Sequence, residues 1–318
     1  MNWWLEAADQ EPGPERWGAP RSKKVNQKRS AATQARFELA EELLPAERDY
    51  EFTYRAARHE KVWLVGALNG FYEDSLIQDV LRIAKGGKEA NVYCCLGGSA
   101  PEAAEEAPYM GPELLAAKVY RPRMLRQLKN DARYRQGRDF LADDGKARRD
   151  GRSLRAIRKK TRVGSEMIIT SWIEHEYQTL QRLHAAGLDV PAPVARSENA
   201  ILMGFVGDEE LTAPALNEAH LPAQEAGPLF ERVLGNIERM LELGIIHADL
   251  SAYNILYWEG EIRLIDFPQV VDPLNNPEAQ ALFQRDVERV CQYFARYGVR
   301  ANPRRLADDL WRRHVPHA

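Results

Sequence analysis

No apolar rhythm runs through residues 1 to about 36, and it first appears at Phe37. From there to about residue 75 the spacing predicts one or two helices that lead into the folded core. Val80, Leu81 and Ile83, then Val92 to Leu96, read as two strands around the turn Lys85-Gly86-Gly87-Lys88-Glu89-Ala90. Residues 97–113, rich in Gly, Pro and Glu, read as a variable hairpin loop. Leu114 to Tyr120 is a strand with a single Lys118 set among apolar neighbours. Ile173, Tyr177, Leu180 and Leu183 make the stripe of a helix over 171–183, closed by Gly187 with Pro191 and Pro193 beyond. Ala200 to Met203 reads as a strand running into a hinge, Gly204-Phe205-Val206-Gly207. Phe230, Val233, Leu234, Ile237, Met240 and Leu241 mark the buried side of a helix over 225–243. Ile255-Leu256-Tyr257 and Ile262 to Ile265 flank Glu259-Gly260, the turn of a short hairpin. Strands grouped over about 80–120 and helices elsewhere, without a regular strand–helix alternation, make this an α+β chain.

Composition narrows the picture. A length of 318 residues fits two domains or lobes, and 44% apolar residues is ordinary for a globular protein. A net charge of −3 argues against wholesale coating of nucleic acid and leaves room for a local basic patch. Cys94, Cys95 and Cys291 lack metal-ligand spacing and favour a reducing compartment. No apolar run reaches membrane-spanning length, and the start lacks the form of a signal peptide, so the expected setting is cytoplasmic, with no membrane partner. Residues 1–36 carry three prolines, a basic cluster and Trp3, Trp4 and Trp17, and read as a disordered tail; the tryptophans fit a docking motif or a loosely packed terminus. The histidines other than His247 show no metal-ligand clustering in sequence.

The chemistry concentrates in His247-Ala248-Asp249-Leu250-Ser251-Ala252-Tyr253-Asn254, followed twelve residues later by Asp266. That spacing matches a kinase catalytic loop and the carboxylate of the metal-binding strand. In such a site Asp249 accepts the proton of the acceptor hydroxyl, while Asn254 and Asp266 hold Mg²⁺ against the ATP phosphates. The bland alternative is an Asp and an Asn that cap turns. A lysine buried in a strand needs a partner. Kinases give it a Glu on the next helix and the α- and β-phosphates, so Lys118 pairs with Glu176 or, if the helix is rotated otherwise, with Glu174. Gly86 and Gly87, with Lys88, Glu89, Ala90 and Val92, form a glycine turn where backbone can approach phosphate. Met203, Phe205 and Val206 offer hinge backbone to an adenine edge. The stretch 146–162 is strongly basic and reads either as a solvated mobile loop or as a contact for RNA backbone.

With Lys118, Glu176, the 247–254 loop and Asp266 in order, the chain resembles the RIO family of atypical serine/threonine protein kinases. Gly87-Lys88-Glu89-Ala90-Asn91-Val92-Tyr93 is similar to that family's reduced phosphate loop, Ala248 to Leu256 to its catalytic loop, and Ile265-Asp266-Phe267-Pro268-Gln269 to its metal-binding motif. The likeness runs from about residue 76 to 298. The lack of a recognisable winged helix is similar to the first subfamily and Phe267-Pro268-Gln269 to the second, which leaves the first subfamily or a divergent bacterial branch. The resemblance implies a bilobal protein-kinase-like fold: a helical extension at 37–75, an antiparallel-sheet N-lobe at 76–203 with a basic insertion at about 121–167, and a reduced helical C-lobe at 204–318. It implies ATP with Mg²⁺, or Mn²⁺, as cofactors, autophosphorylation or ATP hydrolysis, Asp266 as a possible phosphate acceptor, and a ribosomal RNA or ribosomal particle as partner.

Two departures from ordinary protein kinases bear on function. Ala248 stands where an Arg receives a phosphorylated activation loop, so that switch lacks its receptor. Only 52 residues follow Asp266 and none form Ala-Pro-Glu, so a reduced substrate platform is expected. Two other readings share parts of the pattern. A small-molecule kinase of the aminoglycoside or choline type has the same loop layout with a larger helical lobe. A nucleotide-gated module for RNA or a ribosomal particle would use the basic stretch.

Overall fold

A computed structural model describes residues 52–87, 89–98, 114–121, 139–142, 145–159 and 161–316. The expected tail at 1–36, most of the loop at 97–113 and Lys88 lie outside the described residues. The first element is helix α1 (Arg58–Glu73). Its apolar residues Leu64, Ala67, Leu68 and Phe71 recur at helical spacing and are all buried. They pack on one face of a five-stranded antiparallel sheet. The strands are β1 (Ile77–Gly86), β2 (Ala90–Gly97), β3 (Leu114–Tyr120), β4 (Pro193–Arg196) and β5 (Ala200–Gly204), in the order β1-β2-β3-β5-β4.

Strand alternation sorts the two faces. Val80, Tyr93, Cys95, Leu115, Ala117, Val119, Ala200 and Leu202 face α1, each side chain stabilising that contact by about 1–3 kcal/mol. Tyr120 and Ile201 turn the other way and join the larger core of the helical half. Lys118 shares that second face. The three cysteines are free and buried.

Three findings correct the sequence reading. The helix expected over 171–183 is α3 (Arg162–Ala185), nine residues longer at its start. The Thr161 side chain caps it by accepting from the Gly164 N–H, and the basic composition upstream had hidden its apolar period. Part of the basic stretch is likewise not a mobile loop. Residues 151–158 form helix α2 (Gly151–Arg158), capped by the Asp150 side chain and anchored by buried Ser153 and Ile157. The chain before it is held to α3 by the Leu141 N–H, which donates to Ser171 Oγ at 2.9 Å, and is tied to itself by the Arg148 N–H, which donates to the Phe140 carbonyl at 2.6 Å. Finally, β4 begins at Pro193, which as a helix terminator concealed a strand; at the first position of an edge strand the missing N–H costs no ladder bond.

The helical half holds α4 (Ala223–Glu242), a 3-10 turn (Ala252–Asn254), the hairpin β6 (Ile255–Trp258) and β7 (Glu261–Leu264), then α5 (Ala279–Ala295) and α6 (Pro303–His314). Glu259 and Gly260 both have positive φ, 49° and 83°, as the tight turn between β6 and β7 requires. Leu229, Phe230, Val233, Ile237, Met240 and Leu241 of α4 pack against Leu282, Phe283, Val287, Val290 and Phe294 of α5 within one core. Among the described residues no helix is long and apolar enough to cross a membrane.

Candidate active site

Lys118 is the pivot of the site. From the middle of β3 its ammonium reaches Glu176 Oε1 of α3 at 2.5 Å and Asp266 Oδ1, just after β7, at 2.7 Å. The phenol of Tyr120, two residues on and on the same face, donates to the second oxygen of Glu176, and the Lys118 ammonium lies 5.4 Å from that ring's centroid. Sheet and helical half thus meet through one cation and two anions. Burial acts against the ammonium, but Asp266 and Glu176 outweigh it and hold Lys118 protonated, well above the usual lysine range. Burial raises the Glu176 carboxyl against the pull of Lys118, whereas the Lys118 charge lowers Asp266 in spite of burial. Glu174, the other candidate, turns away: it pairs with Arg196 of β4 and accepts from Gln178 Nε2 at 2.7 Å.

The catalytic-loop residues are tied to the same place. His247, almost fully buried, sets Nε2 3.1 Å from the Ile265 carbonyl, and its ring packs at a tilt with its centroid 5.1 Å from that of Phe267. Burial lowers its pKa, so a neutral ring braces the loop. Asn254 accepts at its carbonyl from the Ile265 N–H at 3.0 Å, and its Nδ2 donates to the Asp249 carbonyl at 3.0 Å. That second bond orients the amide so that its oxygen is the atom left for a cation. Ala248 and Asp266 are held at positive φ, 62° and 73°, uncommon conformations for residues with a Cβ and typical of positions that surrounding structure over-determines.

Much of that over-determination comes from α5, which sequence reasoning did not connect to the site. The Arg285 guanidinium donates to the Ala248 carbonyl, and Arg289 Nη1 lies 2.9 Å from Asp249 Oδ1. Asp286 is buried at 3% exposure beneath the loop, with the Arg285 guanidinium at 3.6 Å. The signal was present only as Arg285, Asp286 and Arg289 among the polar positions of an amphipathic helix that also carries Glu288.

Burial pushes the Asp286 carboxyl up to about 7, and Arg285 together with the Leu250 and Ala248 amides opposes it only in part. Its folded pKa therefore exceeds its unfolded one. The stability it contributes is whole below about pH 4 and is lost as pH rises towards 7. Compared with Asp286→Asn, the wild-type protein should lose up to roughly 4 kcal/mol across that window. Denaturation of both proteins from pH 4 to 8 checks this; parallel curves would contradict it.

The remaining predicted residues lie on the β1–β2 hairpin and at the end of β5. Gly86 pairs with Asn91 across the β1–β2 hairpin, so Gly87 and Glu89 lie at its tip, and Val92 lies directly opposite Lys118. A Cβ on Gly87 would lie 2.6 Å from the Ala90 carbonyl, which only glycine avoids. Ala90 and Met203 pack against the core of the helical half. In the hinge, the Phe205 N–H donates to the Leu114 carbonyl at 3.0 Å and so does not serve an adenine edge while so paired, whereas the Val206 carbonyl accepts from the Ala213 N–H at 3.0 Å and keeps a second lone pair. Away from the site, His314 lies 2.8 Å from Glu238, a carboxylate already paired with Arg313.

Comparison with known proteins agrees with this geometry. The profile of the RIO domain matches residues 115–306, more than half of the chain. Serine/threonine-protein kinase RIO3 of Bos taurus is 29% identical over 226 residues, covering 71% of this chain and 40% of that protein. The RIO-type serine/threonine-protein kinase Rio1 of Haloferax volcanii is 29% identical over 216 residues, 68% of this chain and 63% of that protein. Serine/threonine-protein kinase RIO1 of Chaetomium thermophilum is 29% identical over 252 residues, 76% and 43% respectively. The chain thus spans about two fifths of the length of the RIO3 relative. A five-stranded antiparallel sheet, a helical half and a lysine bridging two carboxylates between them make this an α+β, protein-kinase-like fold, and the chain belongs to the RIO domain family.

Proposed function

We propose that the chain is an Mg²⁺-dependent phosphotransferase that moves the terminal phosphoryl group of ATP to a serine or threonine of a partner protein or of itself. The observation that carries this reading is the bridge of Lys118 between Glu176 and Asp266. A half-buried lysine held charged at the junction of sheet and helices is suited to orient the α- and β-phosphates, with Glu176 fixing its direction. Gly86, Gly87, Lys88, Glu89 and Ala90 cover the phosphates; Val92, Met203, Phe205 and Val206 flank the base. Asn254 and Asp266 present hard oxygen donors of the kind Mg²⁺ takes, and Mn²⁺ fits the same set. The metal would neutralise charge on the phosphates. Asp249 accepts the proton of the incoming hydroxyl, and Arg289 and the Asn254 amide hold it in place.

Incubation with labelled ATP and Mg²⁺, followed by mapping of the labelled residue and assay of free phosphate, tests the reading. Label on Ser, Thr or Asp266, or release of phosphate, is expected. Neither label nor release would overturn it.

The partner reading is supported by α2. Arg152, Arg155 and Arg158 face solvent together with the flanking Arg149 and Lys159, while Ser153 and Ile157 turn inward. Such a stripe fits the phosphate backbone of an RNA, a ribosomal one by family likeness, and gives affinity without base specificity. Replacing Arg149, Arg152, Arg155 and Lys159 by Gln should reduce the slope of log affinity against log salt by about 2–3 for a structured RNA. An unchanged slope would dismiss the contact.

A further inference from the structure

The tip of the β1–β2 hairpin is held from behind. Asn91, only 4% exposed, accepts at Oδ1 from Arg121 Nη2 at 2.6 Å and Nε at 3.3 Å, with the Gly87 N–H further off at 3.4 Å. The Arg121 backbone N–H donates to the Glu89 carbonyl at 2.8 Å, so this one residue holds the β2 side of the tip at two points. On its other side, Asn91 Nδ2 donates to the hydroxyl of fully buried Tyr93 at 2.9 Å, and that hydroxyl donates to Glu60 Oε1 of α1 at 2.6 Å. Burial and the Glu60 carboxylate raise the Tyr93 pKa far above its usual value, so the phenol keeps its proton and stays a donor.

The chain of bonds has a direction, with a carboxylate at one end and a guanidinium at the other. Each member polarises the next, which strengthens the whole. Asn91 and Tyr93 alternate with Val92, the residue opposite Lys118, so the network lies on the α1 face of the sheet and not on the face that carries Lys118. Its carboxylate end also lies before the residues that the RIO domain profile matches.

We propose that Glu60, acting through Tyr93 and Asn91, is a positioning residue for the phosphate hairpin, so that α1 sets how tightly the site holds a triphosphate without touching it. The inference rests on the nucleotide-site reading above. It implies that the backbone of Gly87, Glu89 and Ala90 is pre-organised, and that cutting the network adds its ordering to the cost of binding phosphates. The base, which meets the hinge, is indifferent to the cut.

The test compares wild type, Tyr93→Phe and Glu60→Gln. Mg²⁺-ATP affinity is measured by calorimetry and adenosine affinity by ligand-observed NMR. Tyr93→Phe removes two hydrogen bonds and keeps the ring, so Mg²⁺-ATP should bind about five- to tenfold more weakly. Glu60→Gln keeps an acceptor and loses the charge, so about two- to threefold is expected. Adenosine affinity should change by less than about twofold in both, whereas general loosening of the lobe would weaken both ligands alike. Equal losses for the two ligands, or unchanged Mg²⁺-ATP affinity, would overturn the inference. Should Tyr93→Phe fail to fold, Glu60→Gln decides by the same comparison. Failure of the wild type to bind Mg²⁺-ATP would refute the nucleotide-site reading and this inference with it.

Discussion

Asp249→Asn should lower the rate of phosphoryl transfer by roughly 10³-fold, the range of a lost general base, while Mg²⁺-ATP affinity stays within about twofold. The substitution is nearly isosteric. Its amide oxygen can still accept from Arg289, which lies 2.9 Å from the native carboxylate, and the backbone carbonyl at 249 still accepts from Asn254. The loop should therefore keep its shape, and only the ability to take a proton is lost. Because the side chain is 41% exposed, the change should cost little stability. Single-turnover transfer from labelled ATP and calorimetry of ATP binding separate these effects. A variant that transfers at the native rate would remove Asp249 from the chemistry, and one that no longer binds ATP would show that it holds the nucleotide instead.

Lys118→Met should have the second largest effect, on stability as well as turnover. Lys118 and Glu176 are only 13% and 5% exposed, and removing one partner leaves Glu176 and Asp266 facing each other without a cation. Loss of one member of such a buried pair costs about 3–5 kcal/mol, with the partly exposed Asp266 favouring the lower end. Lys118→Met combined with Glu176→Gln should regain most of that stability, because Tyr120 can donate to a neutral amide and the remaining carboxylate is alone. Neither variant should transfer phosphate. Denaturant unfolding gives the stabilities and labelled ATP the turnover. Additive losses in the double variant would mean that Lys118 and Glu176 do not act as a pair.

The parts most legible in the sequence have strong local signals. An isolated lysine among apolar residues marks β3, a Glu-Gly turn between apolar runs marks the β6–β7 hairpin, and the spacing of polar residues from 247 to 266 marks the loop between the lobes. The parts that escaped depend on contacts distant in sequence. Whether Glu174 or Glu176 meets Lys118 is decided by Arg196, which draws Glu174 to β4, and by Tyr120, which faces Glu176. The clasp of Arg285, Asp286 and Arg289 lies in a helix with no motif of its own. Pro193 hid β4, and a run of basic residues hid α2 and the first turns of α3. The bonds from Glu60 to Asn91 join a helix to a strand about thirty residues on, and no spacing rule announces them.

The most direct measurement of the central claim is calorimetric titration of ATP, with Mg²⁺ and with EDTA, into wild type and Asp266→Asn. Asp266 lies within 2.7 Å of Lys118 and next to the Ile265–Asn254 bond, where lysine, metal and phosphates would meet. The account predicts Mg²⁺-dependent binding by the wild type and at least a roughly tenfold loss in the variant, the usual cost of a damaged ligand set. Equal affinity of the two proteins for ATP in the presence of Mg²⁺, or wild-type affinity unchanged by EDTA, would contradict it.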